Sequence, residues 1–331
     1  MVSNKSIKIL INWLIGPLLL IWLSYSLYKE IRTQPNLQQS IGLLREAPFG
    51  QYAYKFWLVI FLIFVNWGLE ARKWQLLMKP VQPMGFITAF KSVLCGATLS
   101  LNTPNRIGEY GGRILYVNEG NRLKAVTLSI AGSISQLMIT LILGLGGLFF
   151  ILFQLPGDSA TVPYFTPFLV KMLLYLNACL VILFLLFYFR LGWIVRFIEK
   201  IPNLSRVVKY ISVLENFDAK ILLRLLFISS VRYSVFVIQY IFMMQLMEVG
   251  IGGWQSFWIL TLLFWVLAIV PSFAIAEIGI RGKFGLALMG LFSANKTGIV
   301  AVMFSIWLFN LFIPAVSGGL LILSKKYFSK K

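Results

Sequence analysis

Histidine is absent from this chain, and cysteine nearly so, with only Cys95 and Cys179. Without histidine, the commonest general base and the commonest transition-metal ligand are both missing. The two thiols sit in separate apolar tracts, so they provide neither a disulfide framework nor a metal-binding spacing. They read as small hydrophobes. Charge is scarce as well: 12% of the residues are charged, against about a quarter in an ordinary soluble domain. Negative charge is the scarcer sign, with 11 Asp and Glu against 30 Lys and Arg. No Walker or dinucleotide glycine pattern occurs, so neither a nucleotide nor any other cofactor is expected.

What is abundant is apolar surface. Hydrophobic residues make up 59% of the chain and the mean hydropathy is +0.84. Together with the low charge, this excludes a soluble domain and implies an integral membrane protein. The net charge of +19 then reads as basic loops on the cytoplasmic side of an anionic leaflet, not as a nucleic-acid surface.

Charge-free runs place the spans. Ile9–Tyr28, Phe56–Leu69, Ala125–Gly157, Met172–Phe189, Ile221–Met247 and Thr297–Ser324 are candidates for full crossings. Phe56–Leu69 reaches across only if it continues through Trp74. Ile9–Tyr28 follows Lys5 and Lys8 but has no small-residue cleavage site, so it reads as an uncleaved first span. Lys29–Lys55 and Arg190–Lys220 mix charge with spaced apolar residues, as interfacial helices do; Trp193, Phe197 and Ile201 recur at helical spacing.

Loop charges then set a parity. Gln154–Thr166 and Glu248–Phe257 lack Lys and Arg and belong outside, whereas Arg190–Lys220 and the Lys-rich tail belong inside. For the long run from Ala125 to begin inside, Met84–Arg122 must enter and leave by one face. Phe257–Asn295 must do the same from the other face. The sequence therefore predicts an all-α polytopic protein of six full spans and two re-entrant hairpins. Its pseudo-repeats, 1–153 and 168–323, are inverted, and both termini are cytoplasmic.

The hairpins carry the chemistry. The first reads Pro104, Arg106, Glu109, Arg113; the second reads Pro271, Glu277, Arg281. In each, a Glu precedes an Arg by four residues, on one helix face. Backbone broken by Pro and Gly is tolerated at membrane depth only within protein or beside a wet cavity. Arg can hold a phosphate through two hydrogen bonds, and Glu can orient that Arg or take a proton. Arg106, Glu109, Arg113, Glu277 and Arg281 are therefore the candidate substrate-binding residues. Arg232, near the middle of its span, is a sixth. Asn66 and Glu70 share a face of the second span, where Glu70 is placed to pair with Lys73. The glycines Gly144, Gly146 and Gly147 suit close helix packing.

These motifs also carry a family resemblance. Pro104-Asn-Arg-Ile-Gly108-Glu109 followed by Arg113, and Pro271 with Gly279-Ile280-Arg281, resemble the two signatures of the lysylphosphatidylglycerol synthase transmembrane region, a flippase-like family of bacterial and archaeal membrane proteins. In the second signature Gly282 stands where the family has Glu, and Glu277 precedes the glycine instead. The resemblance implies a lipid-handling domain of the cytoplasmic membrane. The chain reaches Lys331 without the soluble aminoacyl-transferase domain of the bifunctional members, so no synthase activity is carried over. The expected function is movement of a phospholipid or lipid-linked molecule between leaflets. The expected partner is an anionic or zwitterionic lipid, and a homo-oligomer is compatible with the sequence. The alternatives are a membrane transferase acting on a lipid carrier, for which Glu109 or Glu277 would have to serve as base, and a non-transporting scaffold.

Overall fold

The computed structural model describes residues 37–101, 103, 106–154, 166–201, 205–270 and 277–328. Among these the chain is helical throughout and has no strand. In chain order the helices are α1 (Leu37–Glu46), α2 (Ala53–Met78), α3 (Phe86–Ser100), α4 (Gly108–Arg113), α5 (Arg122–Gln154), α6 (Pro167–Tyr188) and α7 (Leu191–Glu199). Then come α8 (Ser205–Ile211), α9 (Ala219–Leu246), α10 (Gly253–Ile269), α11 (Glu277–Met289), α12 (Lys296–Trp307) and α13 (Ile313–Phe328).

Among the described residues, five stretches are long and apolar enough to cross a membrane: α2, α5, α6, α9, and α12 continued into α13. The protein is thus an all-α polytopic membrane protein. The predicted first span, Ile9–Tyr28, lies outside the described residues. The second span does run through Trp74. It crosses its charged stretch because Glu70 and Lys73, one turn apart, pair at 2.8 Å.

Long helices begin where the sequence offers caps. The Thr166 hydroxyl accepts a bond from the Leu169 amide ahead of Pro167, and the Asp218 carboxylate accepts one from the Ile221 amide. Asn295 likewise accepts the Gly298 amide to open α12. Between α12 and α13 the helix widens into a π turn over Leu308–Phe312. Pro314 explains it. Proline has no N–H, so the carbonyl of Asn310 loses its regular helical donor.

The two expected hairpins are present as helical pairs. Helix α3 packs on α4, and α10 packs on α11. With 15 residues in α3 and 17 in α10, at 1.5 Å per residue these entering arms reach only about 22 and 25 Å, short of a core of about 30 Å. The tips hold Pro104 and Pro271, which lie outside the described residues. The first hairpin closes tightly because Gly112 faces the Cys95 carbonyl, leaving no room for a side chain. Gly144, Gly146 and Gly147 on α5 lie against Trp265, Trp258 and Leu262 of α10, so the glycine-rich face does allow close packing.

The packing of the hairpins is reciprocal. Helix α3 of the first hairpin lies on α13, the last helix of the chain, while α10 of the second lies on α5 from the first half. The intervening long helices, α2 and α9, pack on each other. Outside this bundle, α6 exposes Phe168, Tyr175, Ile182 and Leu186, and α7 exposes Trp193 and Phe197, as expected of surfaces facing lipid and headgroups. Helix α1 does more than lie in an interface, since it packs on α12.

Candidate functional site

Asn66, Glu70 and Lys73 recur at helical spacing on α2 and are all buried, at 4, 3 and 1% exposure. Three buried polar groups on one face of an apolar helix require partners. Glu70 has three. Its Oε1 accepts a hydrogen bond from Arg113 Nη2 at 2.6 Å, and its Oε2 lies 2.6 Å from Arg232 Nη1 and 2.8 Å from Lys73 Nζ. Arg113 also pairs with Glu109, as the four-residue spacing predicts. Arg232 Nε donates to Asn66 Oδ1 at 2.8 Å, and Asn66 Nδ2 donates to Asn310 Oδ1 at 3.2 Å. One network thus ties α2 to the first hairpin, to α9 and to the π turn.

The first hairpin is anchored behind this network. The Ser92 hydroxyl donates to the Arg113 carbonyl at 2.7 Å and accepts from the Trp74 indole at 3.0 Å. The Arg113 guanidinium lies 5.3 Å from the centre of the Trp74 ring. Arg113 is only 2% exposed.

In front of the network lies a cavity of about 500 Å³. Walls come from α2, both hairpins, α5, α9 and the π turn. Arg106, Arg232, Arg281 and Lys73 line it, against the carboxylates of Glu70 and Glu109. Arg281 Nη1 donates to the Tyr240 hydroxyl at 2.9 Å. Arg106 sits at the tip of the first hairpin with φ of +59°, in the left-handed region. Such a backbone is strained for a residue with a Cβ, and strain of this kind collects at functional sites.

No family model, curated protein or solved structure matches this chain.

Of the six candidate residues, Arg106, Glu109, Arg232 and Arg281 border one cavity. Arg113 does not line it; that residue is buried between Glu70 and Glu109 and holds the hairpin to α2. Glu277 opens α11, one turn before Arg281, and its side chain lies outside the described residues. The sequence reading missed the weight of Glu70, whose expected partner was Lys73 alone, and missed Asn310 entirely. Pro314 was the available signal for Asn310: a proline inside a span marks irregular backbone, and a polar residue beside it is worth attention.

Arg232 joins the network to the cavity. Its side chain is 23% exposed. Nε is bonded to Asn66 and Nη1 to Glu70, while Nη2 has no protein partner among the described residues. A guanidinium held by two bonds with a further donor edge left over is preorganised for an anion.

Proposed function

We propose that this protein moves a lipid, or a lipid-linked molecule, with an anionic or zwitterionic headgroup between membrane leaflets. The observation that carries this reading is the cation-rich cavity inside an otherwise apolar helix bundle, walled by two hairpins too short to cross. An anionic headgroup crossing hydrocarbon needs such a polar, shielded place, because an unpaired charge there costs several kcal/mol or more. Arg232, Arg106 and Arg281 hold the headgroup phosphate in this account. Glu70 and Glu109 fix the arginines. The motif resemblance points the same way.

The reciprocal packing supports an inverted repeat, with a pseudo-two-fold axis in the membrane plane relating the two halves. Alternating exposure of one central site is then a rocking of one half against the other. In this orientation the membrane is the cytoplasmic one and both termini are cytoplasmic. A single cysteine at Gly250 then labels with an impermeant thiol reagent on intact cells, and one at Lys209 labels only after permeabilisation. Labelling of both from one side would undo the orientation.

The test of function is leaflet exchange in proteoliposomes carrying fluorescent lipid in both leaflets. The expected result is that dithionite bleaches nearly all the label, not only the outer half. A covalent product without exchange would identify a transferase, and neither would leave a scaffold.

A further inference from the structure

We infer that the cavity opens sideways into the hydrocarbon of the bilayer at the end of α10, and that Ala268 and Ile269 form a contact surface there for the hydrocarbon chain of the substrate. This rests on the reading above and adds the route of entry: the headgroup enters from the side while its chain stays in the membrane.

The sequence sets where α10 ends. Proline holds the residue before it out of the helical region and has no N–H to continue a helix. Val270, ahead of Pro271, is accordingly extended, with φ of −75° and ψ of 114°, and α10 stops at Ile269. The depth of that end follows from packing. A Cβ on Gly144 of α5 would meet Trp265, and one on Gly147 would meet Leu262. Moving up α5 thus moves back along α10 by the same number of residues, so the two run antiparallel and Ile269 falls level with Thr140. Thr140 is close to the midpoint of the 33-residue α5. Two other spans agree: Asn66 and Arg232, which also line the cavity, lie at the midpoints of α2 and α9. The end of α10 is therefore in the middle of the membrane and not at either surface.

Exposure gives the direction. Among the described residues that line the cavity, only Ala268 and Ile269 are exposed, Ile269 at 51%. Toward the cytoplasm the lining residues Glu70 and Lys73 are buried, and toward the outside Phe264 and Ile306 are buried too. A side chain exposed at this depth on a membrane-spanning bundle meets lipid chains, not bulk water. The lip formed by Leu267, Ala268, Ile269 and Val270 is apolar throughout, while the first hairpin brings the half-buried Arg106 and Glu109 to the same cavity. An apolar lip beside a cationic interior matches a lipid at the junction of chain and headgroup. The chain packs on Ala268 and Ile269, and the phosphate meets the arginines. A water-soluble anion has nothing to place against that lip.

The test is fluorescence quenching at a single labelled position. Ile269→Cys, in a background of Cys95→Ala and Cys179→Ser, is labelled with bimane and reconstituted in phosphatidylcholine vesicles. Tyr175→Cys on the exposed face of α6 is the lipid reference, and Lys209→Cys on α8 is the water reference. A nitroxide carried at mid-chain of the lipid should quench the probe at position 269 as well as at position 175. Iodide, present on both sides of the membrane, should quench it far less than at position 209. Ile269→Trp narrows the opening, and crowding on the lipid's path adds directly to its barrier, so leaflet exchange should slow by about tenfold with Tm unchanged. Exchange at the wild-type rate in that variant would overturn the inference. Iodide quenching equal at positions 269 and 209 would show an aqueous mouth and overturn it too, and if leaflet exchange persisted the transport reading would stand without it. Chain-nitroxide quenching at position 269 in a protein that exchanges no lipid would remove the transport reading and leave the side opening in place.

Discussion

Replacing Glu70 by alanine should destabilise the folded protein by about 3–5 kcal/mol, the usual consequence of removing one partner from a buried ionic cluster. The variant keeps Lys73, Arg113 and Arg232 in place around a vacant centre, with Glu109 the nearest remaining carboxylate described there. Arg113 and Lys73 are almost wholly buried, so neither charge is well solvated once its carboxylate is gone. Thermal unfolding in detergent reads the loss directly. Glu70→Gln should fall between wild type and alanine, since an amide keeps an acceptor but no charge. Adding Lys73→Met to Glu70→Ala should recover part of the loss, because one unpaired charge is then gone and the pair is coupled. A Glu70→Ala protein as stable as the wild type would mean that the network does not hold the first hairpin to α2.

Replacing Arg232 should act on transport more than on stability. Arg232 is the member of the cluster that faces the cavity with a donor edge left over. Arg232→Lys keeps the charge but replaces the separately placed Nε and Nη1 donors, and the Nη2 edge beside them, with a single ammonium, so Asn66, Glu70 and a phosphate no longer each meet a donor in fixed geometry. With hydrogen bonds to charged groups worth about 1.5–3 kcal/mol, leaflet exchange should slow by about 10- to 100-fold while Tm changes little. Arg232→Gln should slow it at least as much. Exchange at the wild-type rate in both variants would place Arg232 among the structural locks, alongside Arg113.

Much of this was legible in the sequence because it rests on local pattern. Apolar runs bounded by charge placed α5, α6, α9 and α12–α13 closely but stopped α2 short of its end at Met78, and loop charges called for hairpins where α3–α4 and α10–α11 occur. The pairing of Glu109 with Arg113 follows from helical spacing alone. What stayed hidden depends on long-range contact. Nothing near Glu70 announces that Arg113 and Arg232, 43 and 162 positions away, converge on it. Arg113 matches a motif that suggested headgroup binding, yet its burial ties it to two carboxylates, and only the fold reveals that. Asn310 was hidden by regular helical expectation. Its side chain reaches Asn66 from the π turn that Pro314 permits.

The central claim is that lipid headgroups pass through the cavity between the two hairpins, and plugging that cavity tests it most directly. In a background of Cys95→Ala and Cys179→Ser, Ser133→Cys places one thiol on the cavity wall, and Tyr175→Cys places one on the exposed face of α6. After reconstitution, each is modified with a bulky methanethiosulfonate and lipid exchange is followed before and after reduction. The account predicts that modification at Ser133 stops exchange, that reduction restores it, and that modification at Tyr175 has no effect. Undiminished exchange with Ser133→Cys fully modified would contradict it.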